Sequence, residues 1–399
     1  METIKYGIIH IINYEVMTMK RIIYILIISI LTLLFTGCKK DNQNTPENTD
    51  QITPTPQVTV TPQPSVTPSV GNTEDTDNVT ENDRQMVALK DYYPAQANSL
   101  YVYAGSGNEY AAYRMNFDFI DTDNNLIQTR TNNGGTETVR VIQIEEDKIS
   151  IVSTVNECYY RDNLLKKEFA PEEKEILLMA PLEKGTEWTL PDGRKRYISG
   201  TDLEIVTPMG TYPALEVTTE SEDSKILDYY SPSIGLIKSV FVSGDMEVVS
   251  ELSEIKTNTP YTQVIEIYYT DGDEKLYPDQ LTVEYKTNDV TRSVLEKALK
   301  KHMEESPYLP LISDNTMINS LYLGDDQIVY VDFSDEFATE MNAGAGYERL
   351  ILQGITNTLG NYYGVNKVYI TLEGKPYESG HMALKKGETF EVDMDQVVR

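Results

Sequence analysis

Few side chains in this 399-residue chain stand where covalent or acid–base chemistry would need them: the thiols of Cys38 and Cys158 and the imidazoles of His10, His302 and His381. A thiol becomes a useful nucleophile only as thiolate, a state that a neighbouring cation or histidine favours. Cys158 lies in Ser153-Thr-Val-Asn-Glu-Cys-Tyr-Tyr-Arg161 with no histidine beside it, so it reads as a half-buried strand residue. His302 ends the apolar stripe of a predicted helix and reads as a packed or edge residue. His381 sits in a polar Gly380-His-Met segment with no partner that sequence identifies. Asp121-Thr-Asp-Asn-Asn125 alternates oxygen ligands as a calcium loop does, but Leu126 and Asn132 stand where such a loop needs glycine and glutamate. A polar hairpin turn accounts for it. Gly105-Ser-Gly107 follows Leu100-Tyr-Val-Tyr103 without an amphipathic helix behind it, hence a turn and not a phosphate loop. No serine or aspartate lies in a nucleophile-elbow context. The residues therefore predict no catalytic site, no metal and no cofactor, although the many carboxylates leave a pair for wall-glycan cleavage open as an alternative.

Cys38 differs through what precedes it. Lys20 and Arg21 make a basic start, Ile22 to Phe35 an apolar run too short for a comfortable transmembrane helix, and Thr36-Gly37 a small pair directly before the thiol. This stretch resembles a bacterial lipoprotein signal peptide, with Phe35 where leucine is commoner. The resemblance implies a diacylglyceryl thioether on Cys38, cleavage after Gly37, and a protein anchored on the extracytoplasmic face of the cell membrane. Each buried methylene is worth about 0.8 kcal/mol, so two acyl chains hold where one binds only reversibly. Residues Met1 to Thr18 make an odd leader, and translation from Met17 or Met19 fits better. Lipidation of Cys38 would leave Cys158 without an intrachain disulfide partner.

The elements after Cys38 divide by composition. Residues 38–86, rich in Thr, Pro, Asn and acids, carry too little apolar surface to fold and read as a tether of about 40 Å mean span. A net charge of −29 argues against nucleic acid as a partner, because phosphates demand basic patches. Residues 87–257 read as short alternating strands rich in Val, Ile, Tyr and Thr, among them Ala111 to Ile120, Leu126 to Arg130, Thr138 to Ile144 and Gly235 to Val242. No helix is expected there; an antiparallel curved sheet or sandwich is.

Residues 260–399 change rhythm: strands at Thr262 to Tyr269 and Leu281 to Tyr285, a helix from Val290 to Glu304 capped by Asp289 or Thr291, a hairpin of Met317 to Leu323 with Gln327 to Phe333, a helix from Tyr347 to Tyr362, and a strand from Lys367 to Leu372. Leu321, Val329, Val331, Phe333, Val368, Ile370 and Leu372 alternate onto one face, which two amphipathic helices would cover. The opposite face carries Tyr322, Tyr330 and Tyr369. Either other parts of the chain cover it, or it is a partner face, since aromatic anchors amid polar groups suit interfaces. The fold class expected is α+β.

Thr291 to Met303, Val329-Tyr-Val-Asp-Phe-Ser334, Gly346 to Leu359 and Val365 to Gly374, in that order, resemble the GerMN, or sporulation and spore germination, domain. The resemblance spans roughly residues 262–395. It implies a small helices-on-one-face-of-a-sheet fold like ring-building motifs, found in exported lipoproteins of spore-forming bacteria, and a role in protein binding or assembly with no catalytic residues. The leading expectation is thus a lipid-anchored adaptor that binds an envelope protein or itself; a module for wall glycan or peptide, or a wall hydrolase, are the alternatives.

Overall fold

Alternation dominates the first half of the chain, and its consequence is one antiparallel sheet. The computed structural model describes residues 88–169, 174–271, 274–302 and 308–398. The signal-like stretch, Cys38 and the tether fall outside them. Residues Thr80–Arg399 form one compact unit.

The strands of the first half are β1 (Leu100–Ser106), β2 (Tyr113–Asp121), β3 (Leu126–Asn132), β4 (Glu137–Ile144), β5 (Lys148–Asn156) and β6 (Glu175–Met179), followed by β7 (Glu187–Thr189), β8 (Lys195–Thr207), β9 (Gly210–Glu220), β10 (Lys225–Ser231), β11 (Gly235–Ser243) and β12 (Met246–Lys256). Their order, β6-β5-β4-β3-β2-β1-β12-β11-β10-β9-β8-β7, is two six-strand meanders joined by the β1·β12 pair. Of the two expectations, sheet or sandwich, the single sheet is correct. Its edges approach each other: on β7 and β8, Trp188 Nε1 and Arg196 donate to the Ile176 carbonyl of β6, at 3.0 and 2.7 Å, and Arg196 pairs with Glu175 at 2.8 Å.

The alternation sorts side chains onto two faces. Tyr101, Tyr103, Phe117, Ile127, Ile142, Ile149, Ile198, Val217 and Tyr230 line the inner face. Val139, Val141 and Val152 point outward against Cys158 and Leu164 of the segment after β5. Cys158 is therefore a buried loop residue and not a half-buried strand residue; β5 ends two residues earlier, at Asn156. The Asp121–Asn125 segment is a turn, with the Asp121 carboxylate accepting from the Asp123 and Asn124 amides at 3.1 Å each and Asn125 at φ 53°.

In the second half, β13 (Tyr261–Thr270) and β14 (Leu276–Tyr285) form an antiparallel ribbon. Next come α1 (Thr291–Leu299), β15 (Ile318–Leu323), β16 (Ile328–Phe333), the one-turn α2 (Glu336–Thr339), α3 (Ala345–Tyr363) and β17 (Lys367–Leu372), with two-residue strands β18 (Lys375–Pro376) and β19 (Phe390–Glu391) at the end. Strand β16 pairs antiparallel with β15 and parallel with β17. Helix α3 ends at Gly364, whose left-handed φ of 69° suits the residue without a Cβ. Close packing starts at Gly354, where a Cβ would meet the Tyr268 carbonyl oxygen at 2.3 Å.

Two expectations for α1 fail. The helix stops at Leu299, whose carbonyl takes the Leu311 amide, so His302 is off the helix and exposed. Neither Asp289 nor Thr291 caps it: the Asp289 carboxylate accepts the Lys286 amide at 2.9 Å, closing the preceding turn, and Thr291 Oγ1 accepts from Arg161. The core of this half, with Ile267, Leu295, Val331, Phe333, Ile355, Leu359 and Ile370, lies between ribbon, helices and sheet.

Candidate functional site

Three strands distant in sequence put their tyrosines in one row. Tyr322 on β15 is the direct cross-strand partner of Tyr330 on β16, and Tyr330 that of Tyr369 on β17. Such neighbours lie close enough for ring contact. The Tyr322 and Tyr330 rings stack at 5.1 Å between centroids and 8° between planes; Tyr330 meets Tyr369 edge-on at 5.7 Å and 75°. Tyr322 is 48% exposed, so no other described segment covers this end of the row.

Hydrogen bonds fix the rings. Tyr330 Oη donates to Asp326 Oδ2 at 2.7 Å in the turn between β15 and β16, and that carboxylate holds the phenol above its ordinary pKa. Gly324 of the same turn lies under the ring, where a Cβ would come within 2.9 Å of Tyr330 Cε2. The Gly387 amide donates to Tyr369 Oη at 3.3 Å. Beyond the row, Asp332 accepts from Thr371 Oγ1 and the Gly374 amide at 2.5 and 2.7 Å. The arrangement is an aromatic row, a stacked pair followed by an edge-on ring, with engaged carboxylates at its border. Chemically it can stack and donate hydrogen bonds.

A second constellation, which sequence reasoning missed, holds this half of the chain against the outer face of the large sheet. Asp118 on β2 and Arg130 on β3 pair at 3.1 Å, both almost wholly buried. Arg130 Nη1 also donates to Glu137 at 2.8 Å and to the Cys158 carbonyl at 2.6 Å. Arg161 Nε faces Asp118 Oδ1 at 3.7 Å, while its Nη2 donates to the carbonyls of Asp118 and Lys286 at 2.8 and 3.2 Å. Tyr362 of α3 accepts the Arg161 amide at 3.1 Å and lies 3.1 Å from the Tyr285 hydroxyl. Burial pulls the Arg161 guanidinium below its ordinary pKa, and Asp118 works the other way. The sequence signal was present in charged residues at strand positions flanked by aromatics, as in Phe117-Asp-Phe119.

With the geometry described, comparison with known proteins is informative for one segment. Residues 266–378 match the Germane family, described as sporulation and spore germination. The match falls on the segment expected to resemble it, beginning within β13 and ending two residues after β18. A comparison with curated proteins finds no match. Among solved structures, the tandem GerMN domains of the sporulation protein GerM from Bacillus subtilis are 17% identical over 32% of this chain and 46% of that one, with a TM-score of 0.26. This chain thus covers less than half of that tandem structure. The first GerMN domain of the same protein is 20% identical over 32% of this chain and 97% of its own, with a TM-score of 0.25. A protein described as a lipoprotein of Clostridium perfringens is 19% identical over 33% of this chain and 87% of that one, with a TM-score of 0.23.

Proposed function

We propose that the chain is a non-enzymatic envelope protein, anchored on the outer face of a bacterial cell membrane through lipidated Cys38, whose Germane segment binds another envelope protein or a second copy of itself through the row Tyr322, Tyr330 and Tyr369. The observation that carries this reading is the row itself: rings from three strands brought into contact and held by side-chain and backbone hydrogen bonds, with Tyr322 half exposed. Rigid aromatics contribute contact area at little entropic cost, which is why they are enriched at interface centres. Helices on one sheet face with the other face free are read here as the ring-building kind of arrangement, which would let copies assemble side by side in sporulation or spore germination. Residues 87–257 are read as the β domain that carries the Germane segment, and residues 38–86 as the tether.

The test compares residues 80–399 with the same fragment carrying Tyr322→Ser, Tyr330→Ser and Tyr369→Ser. Self-association is followed by sedimentation equilibrium, and capture of envelope proteins by mass spectrometry. The expected result is a dimer or one defined partner, lost in the triple variant while its circular dichroism and Tm stay near those of the parent. Retention on purified cell wall with no protein partner would overturn the reading in favour of stacking on glycan or peptide.

A further inference from the structure

The large sheet curls until its ends touch through Trp188, Arg196 and β6, and the concavity is not filled. A cavity of about 350 Å³ remains on the inner face, lined by the rings of Tyr93, Tyr101, Tyr103, Tyr113, Phe117 and Tyr230. That volume is within the range of small-molecule sites, which are mostly apolar with a few convergent polar groups. Tyr103 and Tyr113 stack at 4.2 Å and 13°, and Tyr103 Oη is fixed by the Leu236 carbonyl at 2.8 Å. The exposed Tyr110 also lines the space and lies against Gly135 of the turn after β3, which places it at the mouth.

One charge in this cavity is unmatched. Arg140 on β4 lines it, with Thr129 and Thr154 as its cross-strand neighbours, and its guanidinium has no ion pair or hydrogen bond among the described residues. The contrast is with Arg130, Arg161 and Arg196, each of which is buried and held by carboxylates or carbonyls. Asp228, which acts on the same Tyr113 phenol as Arg140 does, is engaged elsewhere, accepting from Ser239 Oγ at 2.6 Å. Burial pushes the Tyr93 phenol up to about 12, and Arg140 is the cation that opposes it. Arg140 is half-buried, so beside these rings it keeps only part of its hydration, and an anion or hydrogen-bond acceptors would restore the rest.

We propose that this cavity binds a small amphipathic organic anion, an aromatic or alicyclic body bearing one acidic group, with the acid on Arg140 and the body between the stacked Tyr103–Tyr113 pair on one side and Tyr230 on the other. Guanidinium matches a planar or tetrahedral oxyanion in a bidentate manner, and the rings supply the apolar and edge-on contacts for the body. The site is separate from the tyrosine row of the Germane segment and serves the β domain.

The experiment titrates residues 80–399, the compact unit, with two fluorescent probes that share a ring system: 1-anilinonaphthalene-8-sulfonate, which carries the anion, and N-phenyl-1-naphthylamine, which lacks it. Saturable one-site binding of the sulfonate is expected. Arg140→Gln should weaken it at least tenfold and leave the neutral probe within about twofold, and Thr131→Phe, which fills the cavity, should weaken both. Folding of each variant is checked by circular dichroism and Tm, and the triple tyrosine variant of the Germane segment should bind both probes as the parent does. Absence of saturable sulfonate binding overturns the proposal. So does a sulfonate affinity indifferent to Arg140→Gln in a folded protein, or one lost with the Tyr322, Tyr330 and Tyr369 substitutions.

Discussion

The Arg161 guanidinium lies 4.1 Å from the centroid of the Phe119 ring, so a cation from the segment after β5 is sandwiched between the large sheet and, at 5.0 Å, Tyr285 of the second half. The same side chain donates to the Asp289 and Lys286 carbonyls. Arg161→Leu would keep an apolar side chain in the gap but leave those carbonyls and the Asp118 carbonyl short of a donor, and would remove the charge 3.7 Å from the Asp118 carboxylate. Removing one partner of a buried ionic group costs about 3–5 kcal/mol. We expect a loss of that order in urea unfolding, together with easier proteolysis in 257–260, where β12 gives way to β13. A change under about 1 kcal/mol would mean that Arg130 alone neutralises Asp118.

Gly354→Ala sets two effects against each other. Helix propensity favours alanine by about 1 kcal/mol. The added Cβ, however, meets a backbone oxygen, that of Tyr268 on β13, which cannot swing away as a side chain could. Overpacking of this kind costs about 1–3 kcal/mol, so the variant should melt below the parent. A higher Tm would show that α3 and the ribbon can separate by a few tenths of an ångström without loss.

Asp228 keeps some accessible surface, yet protein surrounds its carboxyl closely enough that burial pushes its pKa up, with Ser239 and Arg196 opposing and Glu175 adding. The folded value thus exceeds the unfolded one, and the native state holds a proton that the unfolded chain releases. Stability from this group is complete below its ordinary value of 3.8 and is lost as pH rises through the folded pKa. Each unit of elevation is worth about 1.4 kcal/mol at neutral pH. Asp228→Asn should therefore raise Tm at pH 7, and the gain should disappear near pH 4. A gain of equal size at both pH values would point to packing and not to ionisation.

Cys158 is 3% exposed, its Sγ 3.4 Å from the Tyr160 carbonyl, and burial raises its pKa. Thiolate is scarce and access is closed, so a disulfide reagent at pH 8 should label it only at the rate of local or global opening. Arg161→Leu should speed that labelling, since Cys158, Tyr160 and Arg161 belong to one segment. Immediate stoichiometric labelling of the folded parent would contradict the packing described for the outer sheet face.

Much of the fold was readable because each half follows one period. The alternation in Thr138 to Ile144 or Val329 to Phe333 needs no tertiary information, and the tyrosine row followed from the same parity rule on three strands. Strand β12 is hard to read for a physical reason: only Leu252 of its eleven residues is buried, and its five apolar residues, Met246, Val248, Val249, Leu252 and Ile255, do not alternate. Strand β7 has three residues, too few to show a period. The cavity and the Arg161 cluster were illegible because they arise from closure. Arg196 meets Glu175, and Arg161 meets Asp289, only after the sheet has curled and the second half has docked. The helix α1 was overestimated because its stripe continues past Leu299, while its end is set by the Leu311 amide from a later segment.

Asn98, just before β1, exchanges hydrogen bonds with Thr287 at 2.8 and 2.9 Å, and its carbonyl accepts the Thr259 amide at 2.8 Å. Leu100 and Lys256, where the chain enters and leaves the sheet, are directly paired. Tension applied between residue 98 and residues 266–378 would therefore pass through Asn98 and Thr287 first. Should those bonds yield, the β1·β12 seam would be loaded at one end and would unzip pair by pair, a weak geometry compared with shear. The Asn98–Thr287 clasp thus shields the β1·β12 seam, while load on the chain before it enters the sheet through buried Leu89 and the Asp91 carbonyl, which accepts the Ser233 amide.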